Sequence, residues 1–171
     1  MIKLSELLHE GINDPGILKA VFLAGGPGSG KTFVTNTAFS GTGLKLVNSD
    51  NAFEKGLKKA NLSLKMPDEE EYFRNIIRQR AKTTAGNMLD QYVQGRLGLI
   101  IDATGRDLGL VQRQVGMLRQ LGYDCHMIFV NTSLDVALER NRNRPRSIPE
   151  YIVTNSWNGV QANIGQFQRI F

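Results

Sequence analysis

"AVFLAGGPGSGKT", residues 20–32, runs without a break from an apolar stretch into a glycine-rich turn that ends in lysine and threonine. The apolar stretch has the length of a buried strand. The turn fits the spacing G-x-x-x-x-G-K-[ST] through Gly25, Gly30, Lys31 and Thr32, with Gly26, Pro27, Gly28 and Ser29 between them. Glycines let backbone N–H groups turn inward around an anion without side-chain obstruction. A helix beginning near Lys31 would offer its positive end to the same anion. The motif assigns residues 25–32 to a phosphate, Lys31 to the β- and γ-phosphates of ATP, and the Thr32 hydroxyl to Mg²⁺. The alternative is a glycine-rich turn that binds nothing. A preceding strand and a following helix are the context that separates the two.

Strand and helix patterns alternate outward from this stretch. Residues 17–24, 44–50, 97–104 and 124–131 read as strands. Helices are expected at about 31–39, 51–60, 107–122 and 133–143, the last capped by Ser133. A long amphipathic helix is expected before Gly95, with apolar residues at 72, 73, 76, 77, 88, 89, 92 and 93. The acidic run at 68–71 suits its positive end. A last helix follows Pro149 and carries Trp157 and Phe167 as packing residues. Such alternation predicts an α/β fold, a parallel sheet flanked by helices in three layers, with ligands at the carboxyl ends of the strands. Those ends gather the glycine loop, "NSD" (48–50), "DAT" (102–104) and the segment after "VNTS" (130–133).

Size and composition fit one domain over all 171 residues, with 41% hydrophobic and 22% charged residues. No apolar run approaches the ~18 residues that span a bilayer, so no membrane partner is expected. Residues 1–16 are expected to form a helical extension, since "MIKLSELLHEG" reads as a short amphipathic helix and not a signal peptide. Cys125 is the single cysteine and cannot form an internal disulfide; it reads as a small buried hydrophobe in a reducing cytoplasm. His9 and His126 lack the spacing of a zinc site. A net charge of +5 permits a polyanionic partner such as nucleic acid without requiring one.

Two aspartates and an arginine run carry the remaining chemistry. Asp102 closes an apolar strand, where an acid orients Mg²⁺ directly or through water; the alternative is a strand-end turn cap. Asp50 closes "LKLVNSD" and reads equally as a base for an acceptor hydroxyl or as a helix cap. "RNRNRPR" (140–146) holds four arginines in seven residues. Residues 140–148 are expected to act as a lid whose arginines neutralise a transferring phosphoryl group. A solvated basic turn and a nucleic-acid footprint are the alternatives.

Together "FLAGGPGSGKT", "VNSD", "LIIDATGRD" and "IFVNTSLDVALERNRNRPRSIPE" resemble, in order and spacing, the P-loop kinases that include polynucleotide 5′-kinases and zeta-toxin-like kinases. The resemblance covers roughly residues 19–160. It implies a P-loop NTPase fold of the nucleoside-kinase type and transfer of the γ-phosphoryl group of ATP to a hydroxyl. That hydroxyl belongs to a small molecule or to a nucleic-acid 5′ end. Asp50 matches the family's base, Asp102 and Thr104 its D-x-T signature, and Arg140 and Arg144 its lid arginines on the donor phosphates. Phe53 stands where polynucleotide kinases carry an arginine, and Gly105 and Arg106 follow "DAT". "DATGRD" resembles the zeta-toxin-like branch, whose acceptors are small molecules such as nucleotide sugars. Tailed phages often encode such proteins, which points to a host cytoplasm. Relatives commonly continue with another strand, so the chain is expected to be truncated after Phe171. The competing class is a non-catalytic ATP-binding or interaction module.

Overall fold

The computed structural model describes residues 17–171. The expected extension at 1–16, with His9, lies outside the described residues. Four strands, β1 (Lys19–Ala24), β2 (Lys45–Val47), β3 (Leu99–Asp102) and β4 (Asp124–Phe129), form one sheet in the order β2-β3-β1-β4. Every pairing is parallel. Parallel neighbours need long crossovers, and helices supply them. These are α1 (Lys31–Ala38), α2 (Asp50–Lys59), α3 (Glu71–Gln94) and α4 (Leu108–Gln120). Helices α5 (Leu134–Arg142), α6 (Glu150–Ala162) and α7 (Ile164–Ile170) follow β4.

The central strand β1 sends alternate residues to opposite faces, and both are covered. Ala20 and Phe22 pack with Leu89 of α3 and Val111, Val115 and Leu118 of α4. Val21 and Leu23 pack with Val34 of α1 and with Leu46 and Ile100. The result is the expected helix–sheet–helix sandwich. Cys125 is buried in the first cluster, and burial pushes its thiol pKa up, as suits a small hydrophobe. His126 is exposed on β4, with Nε2 2.9 Å from an Asp124 carboxylate oxygen. Among the described residues no helix is long and apolar enough to cross a membrane.

Two helical expectations need correction. The first turns of α3 do not bury their aromatic residues: Tyr72 and Phe73 are 71% and 59% exposed, and their rings meet edge to face. The apolar contacts of α3 with α2 begin at Ile77 and Ala81, which pack on Phe53 and Leu57. Gly56 makes that contact close, since a Cβ there would overlap Ile77 Cγ2. A short 3₁₀ turn at Asp68–Glu70 takes the acidic run into α3, and Glu70 accepts the Ser63 N–H at 2.8 Å.

The last helix is also two helices, broken at Asn163. The Asn163 amide donates to Gly105 O (3.0 Å) and Arg106 O (2.9 Å). Phe167 then turns back into a cluster with Ala24 and Val160. Trp157 is half-buried, and its indole N–H donates to Thr132 O at 2.8 Å.

Candidate functional site: a phosphate loop facing two carboxylates

The glycine loop leaves β1 between its two neighbours. The Gly25 N–H donates to Thr104 O after β3 (3.0 Å), and the Val130 N–H donates to Ala24 O (2.8 Å). Gly28 has φ +81, and a Cβ there would lie 2.5 Å from Ala137 O of α5, so backbone conformation and close approach both require glycine. Lys31 Nζ reaches back to Gly25 O (2.7 Å) and Gly26 O (3.3 Å). Burial pushes the Lys31 ammonium pKa down, against the pull of Asp102 and Asp50. From α5, Arg140 donates to Gly28 O (3.2 Å) and Ser29 O (3.3 Å), bracing the loop from outside. The Ser29 hydroxyl is buried and has no hydrogen-bond partner among the described residues.

The acids stand across from this loop. Asp102 ends β3 in register with Leu23 of β1, which puts it beside the start of the loop. Asn48, after β2, donates to Asp102 Oδ2 (2.6 Å) and accepts the Asp50 N–H (2.5 Å), so one side chain ties the two acidic segments together. Burial raises the Asp102 pKa, with Lys31 opposing and Asp50 reinforcing. Asp50 begins α2, after an N-cap residue, Ser49, whose side chain makes no capping bond. The Asp50 carboxylate holds the Arg146 guanidinium in a two-pronged pair, at 2.9 Å and 3.2 Å. Burial pushes the Asp50 pKa up, but the bond to Arg146 and the charges of Arg146, Arg78 and Lys31 outweigh it and hold the carboxyl below its usual range.

Between loop and acids lies a cleft of about 370 Å³, lined by Thr32, Asp50, Asp102, Arg144 and Arg146 among others. The arginine run is thus divided among three tasks. Arg140 braces the loop, Arg144 is exposed on the cleft wall near Lys31, and Arg146 holds Asp50. Arg142 points elsewhere, to Glu150 (2.6 Å). The segment bearing Arg144 and Arg146 is pinned at its base. Buried Asn141 donates to Ile148 O (2.7 Å) and accepts the Ile148 N–H (3.1 Å).

Sequence reasoning missed Asn48 and Arg146, although both lie in motifs it singled out. It also missed Arg78, whose place on an unremarkable helix gives no local signal. Among the described residues no group of three His, Cys, Asp or Glu could hold a metal by itself. One hydroxyl and one carboxylate do suit Mg²⁺, which takes a few protein oxygens and completes its shell with water and substrate phosphates. Thr32 and Asp102 line the same cleft and offer that donor set.

The family described as AAA domain matches residues 21–166. Among curated proteins none matches the chain. Several solved structures share the fold at low identity. The AvrRxo1-ORF1:-ORF2 complex with ATP aligns at TM-score 0.71 and 14% identity over 88% of this chain and 49% of that one. The Pnkp1/Rnl/Hen1 RNA repair complex aligns at TM-score 0.65 and 21% identity over 91% and 48%. The PezAT chromosomal toxin–antitoxin system of Streptococcus pneumoniae aligns at TM-score 0.60 and 16% identity over 98% and 71%. The chain therefore spans about half the length of the first two. With the family match running from β1 into α7 and the parallel sheet carrying its glycine loop at the expected strand end, the chain belongs to the AAA-domain family, with a kinase-like P-loop fold.

Proposed function

We propose that this protein is an ATP-dependent kinase that transfers the γ-phosphoryl group to a hydroxyl of a small molecule or of a nucleic-acid 5′ end. The observation that carries the reading is the single cleft with the Thr32 end of the loop on one wall and Asp50, with its arginine, on the other. A module that only binds nucleotide has no use for a carboxylate held there.

The triphosphate would lie along residues 25–32, where the unpartnered Ser29 hydroxyl marks an unmet hydrogen bond. Lys31 would exchange the carbonyls of Gly25 and Gly26 for the β- and γ-phosphates, while Arg140 keeps the loop in shape. Thr32 and Asp102 would hold Mg²⁺, which supplies positive charge at the phosphate oxygens. The acceptor oxygen attacks the γ-phosphorus, the bond from that phosphorus to the β–γ bridging oxygen breaks, and ADP leaves. Asp50, ionised at neutral pH as an aspartate is, would accept the hydrogen bond of the attacking hydroxyl and take its proton late in the step. Arg144 would act as the lid arginine on the donor phosphates.

Pnkp1 belongs to an RNA repair complex and PezAT to a toxin–antitoxin system, so both acceptor classes belong in the test. Purified protein is given γ-labelled ATP with 5′-hydroxyl DNA and RNA, nucleosides and nucleotide sugars. Label on one class supports the reading and names the acceptor. Tight ATP binding with every acceptor unlabelled would leave a nucleotide-binding module and overturn it.

A further inference from the structure

The first two turns of α3 carry an apolar face that no described residue covers. Tyr72 and Phe73 touch each other edge to face, and Ile76, 38% exposed, lies one turn further on. A single exposed apolar side chain is ordinary on a protein surface. Three side by side on one helix face make a patch, and such patches mark interaction sites.

The patch has charges of opposite sign at its two ends. Glu69, Phe73, Ile76 and Arg80 recur at intervals of four, three and four residues, the spacing of one helix face. Glu69 belongs to the 3₁₀ turn Asp68–Glu70, which runs directly into α3. Its neighbour Glu70 turns to the Ser63 N–H. Glu69 and Arg80 instead stay exposed, and neither makes an ion pair with any described residue.

Along the helix the face therefore runs acid, aromatic, aliphatic, base. That order is complementary to its own reverse. When an antiparallel copy is laid with its Ile76 opposite Phe73, its Glu69 falls opposite Arg80. Two-fold symmetry then makes each contact twice. The exposed apolar residues of α4, Leu110, Met117 and Leu121, offer no such match, because the charged residues of that helix are all basic and two copies would repel. Ile77 and Ala81 of α3 already pack on α2, so pairing through the exposed face asks neither copy to repack.

We propose that this face of α3 is a self-association surface, through which two copies of the chain pair with their α3 helices antiparallel. The proposal stands apart from the kinase reading and does not depend on it. The apolar part of the patch offers about 350 Å² per copy, against ~800 Å² per partner in a standard stable interface. The dimer is therefore a weak one, with a Kd above about 1 µM.

Sedimentation equilibrium of the full-length protein, from about 5 to 500 µM at low salt, tests the pairing. The average mass should climb with concentration towards that of two chains. Phe73→Ser, which removes the central ring at an exposed position, should keep the chain a monomer throughout. Arg80→Glu and Glu69→Lys each set like charges opposite one another twice, and each should weaken self-association about tenfold or more. Mixed in equal amounts, these two variants should pair with each other, because the mixed dimer has opposite charges at both contacts. The double variant Glu69→Lys/Arg80→Glu should self-associate like the unaltered chain. If Phe73→Ser does not fold, the charge variants decide.

An unaltered chain that stays a monomer at every concentration overturns the proposal, and leaves the patch to residues 1–16 or to a different protein. A dimer indifferent to Phe73→Ser and to both charge reversals is built on another surface and overturns it equally. Single reversals that dissociate the dimer, with no recovery in the mixture or in the double variant, overturn the antiparallel pairing.

Discussion

Asp50 is half-exposed and yet held by a buried-side partner: the Arg146 side chain is 19% exposed against 51% for Asp50. The pair has a consequence for pH. A depressed pKa keeps Asp50 ionised down to pH values below the usual carboxylate range of about 4. An activity that needs the ionised form should therefore lose its acid limb only below that range. In Arg146→Gln its hydrogen bond and charge are gone, and only Arg78 and Lys31 remain to oppose burial. The acid limb of kcat/KM should then move to higher pH, and Arg146→Lys should move it part of the way back. A pH–rate profile of the three proteins checks this, and an unmoved limb would mean that Asp50 is not the titrating group. Asp50→Asn keeps the shape and removes the proposed base. It should retain ATP binding and lower kcat by about 10²–10⁴-fold, read by single-turnover kinetics beside an ATP titration. Full turnover in Asp50→Asn would remove the base from the mechanism.

Elements bring these residues together through a few side chains that cross between them. Asn48 joins the ends of β2 and β3, and Asn141 closes the segment after α5 on itself. Asn141 is 3% exposed and makes two bonds to the Ile148 backbone. Asn141→Ala leaves that half-buried N–H and C=O without their partner and should cost about 1–3 kcal/mol. The loss should be local, since the segment packs on α2 and α3 through Ile148 alone among its apolar residues. Denaturant unfolding gives the global cost, and limited proteolysis after Arg144 and Arg146 gives the local one. Unchanged cleavage there would show that Asn141 does not hold the segment.

At the scale of the molecule, donor and acceptor sides belong to different parts of the sandwich. On the proposed reading the donor side is built on the loop after β1 and the acceptor side on α2 and the segment after α5, and Thr32, Asp50 and Arg146 bring both to one cleft. Nucleotide that bridges them should stabilise the whole fold. At ATP about 100-fold above its Kd, mass action adds about 2.7 kcal/mol, a rise in Tm of several degrees for a chain of this length. Lys31→Ala removes the charge proposed to meet the β- and γ-phosphates and should abolish most of this shift. Thermal unfolding of both proteins with and without Mg²⁺ and ATP checks it, and an equal shift in both would detach Lys31 from the nucleotide.

The sequence by itself determined the parts whose signals are local. A glycine spacing that needs a strand before it and a helix after it, apolar runs of strand length, and acids at strand ends are read within a dozen residues, and they gave the parallel sandwich and its glycine loop. They did not give the partner of Asp50, which lies 96 residues away in Arg146. Nor did they give the stacking of Arg78 on Phe53, which depends on how closely α3 can approach α2 at Gly56. Periodicity misled at Tyr72 and Phe73 for the same reason: an apolar face states that a residue could be buried, and only the packing of the helices decides whether anything lies against it. The choice of which arginine braces the loop, which lines the cleft and which holds the carboxylate was made by the tertiary structure, because Arg140 on the end of α5 and Arg144 and Arg146 on the segment after it point in directions that their shared charge does not distinguish.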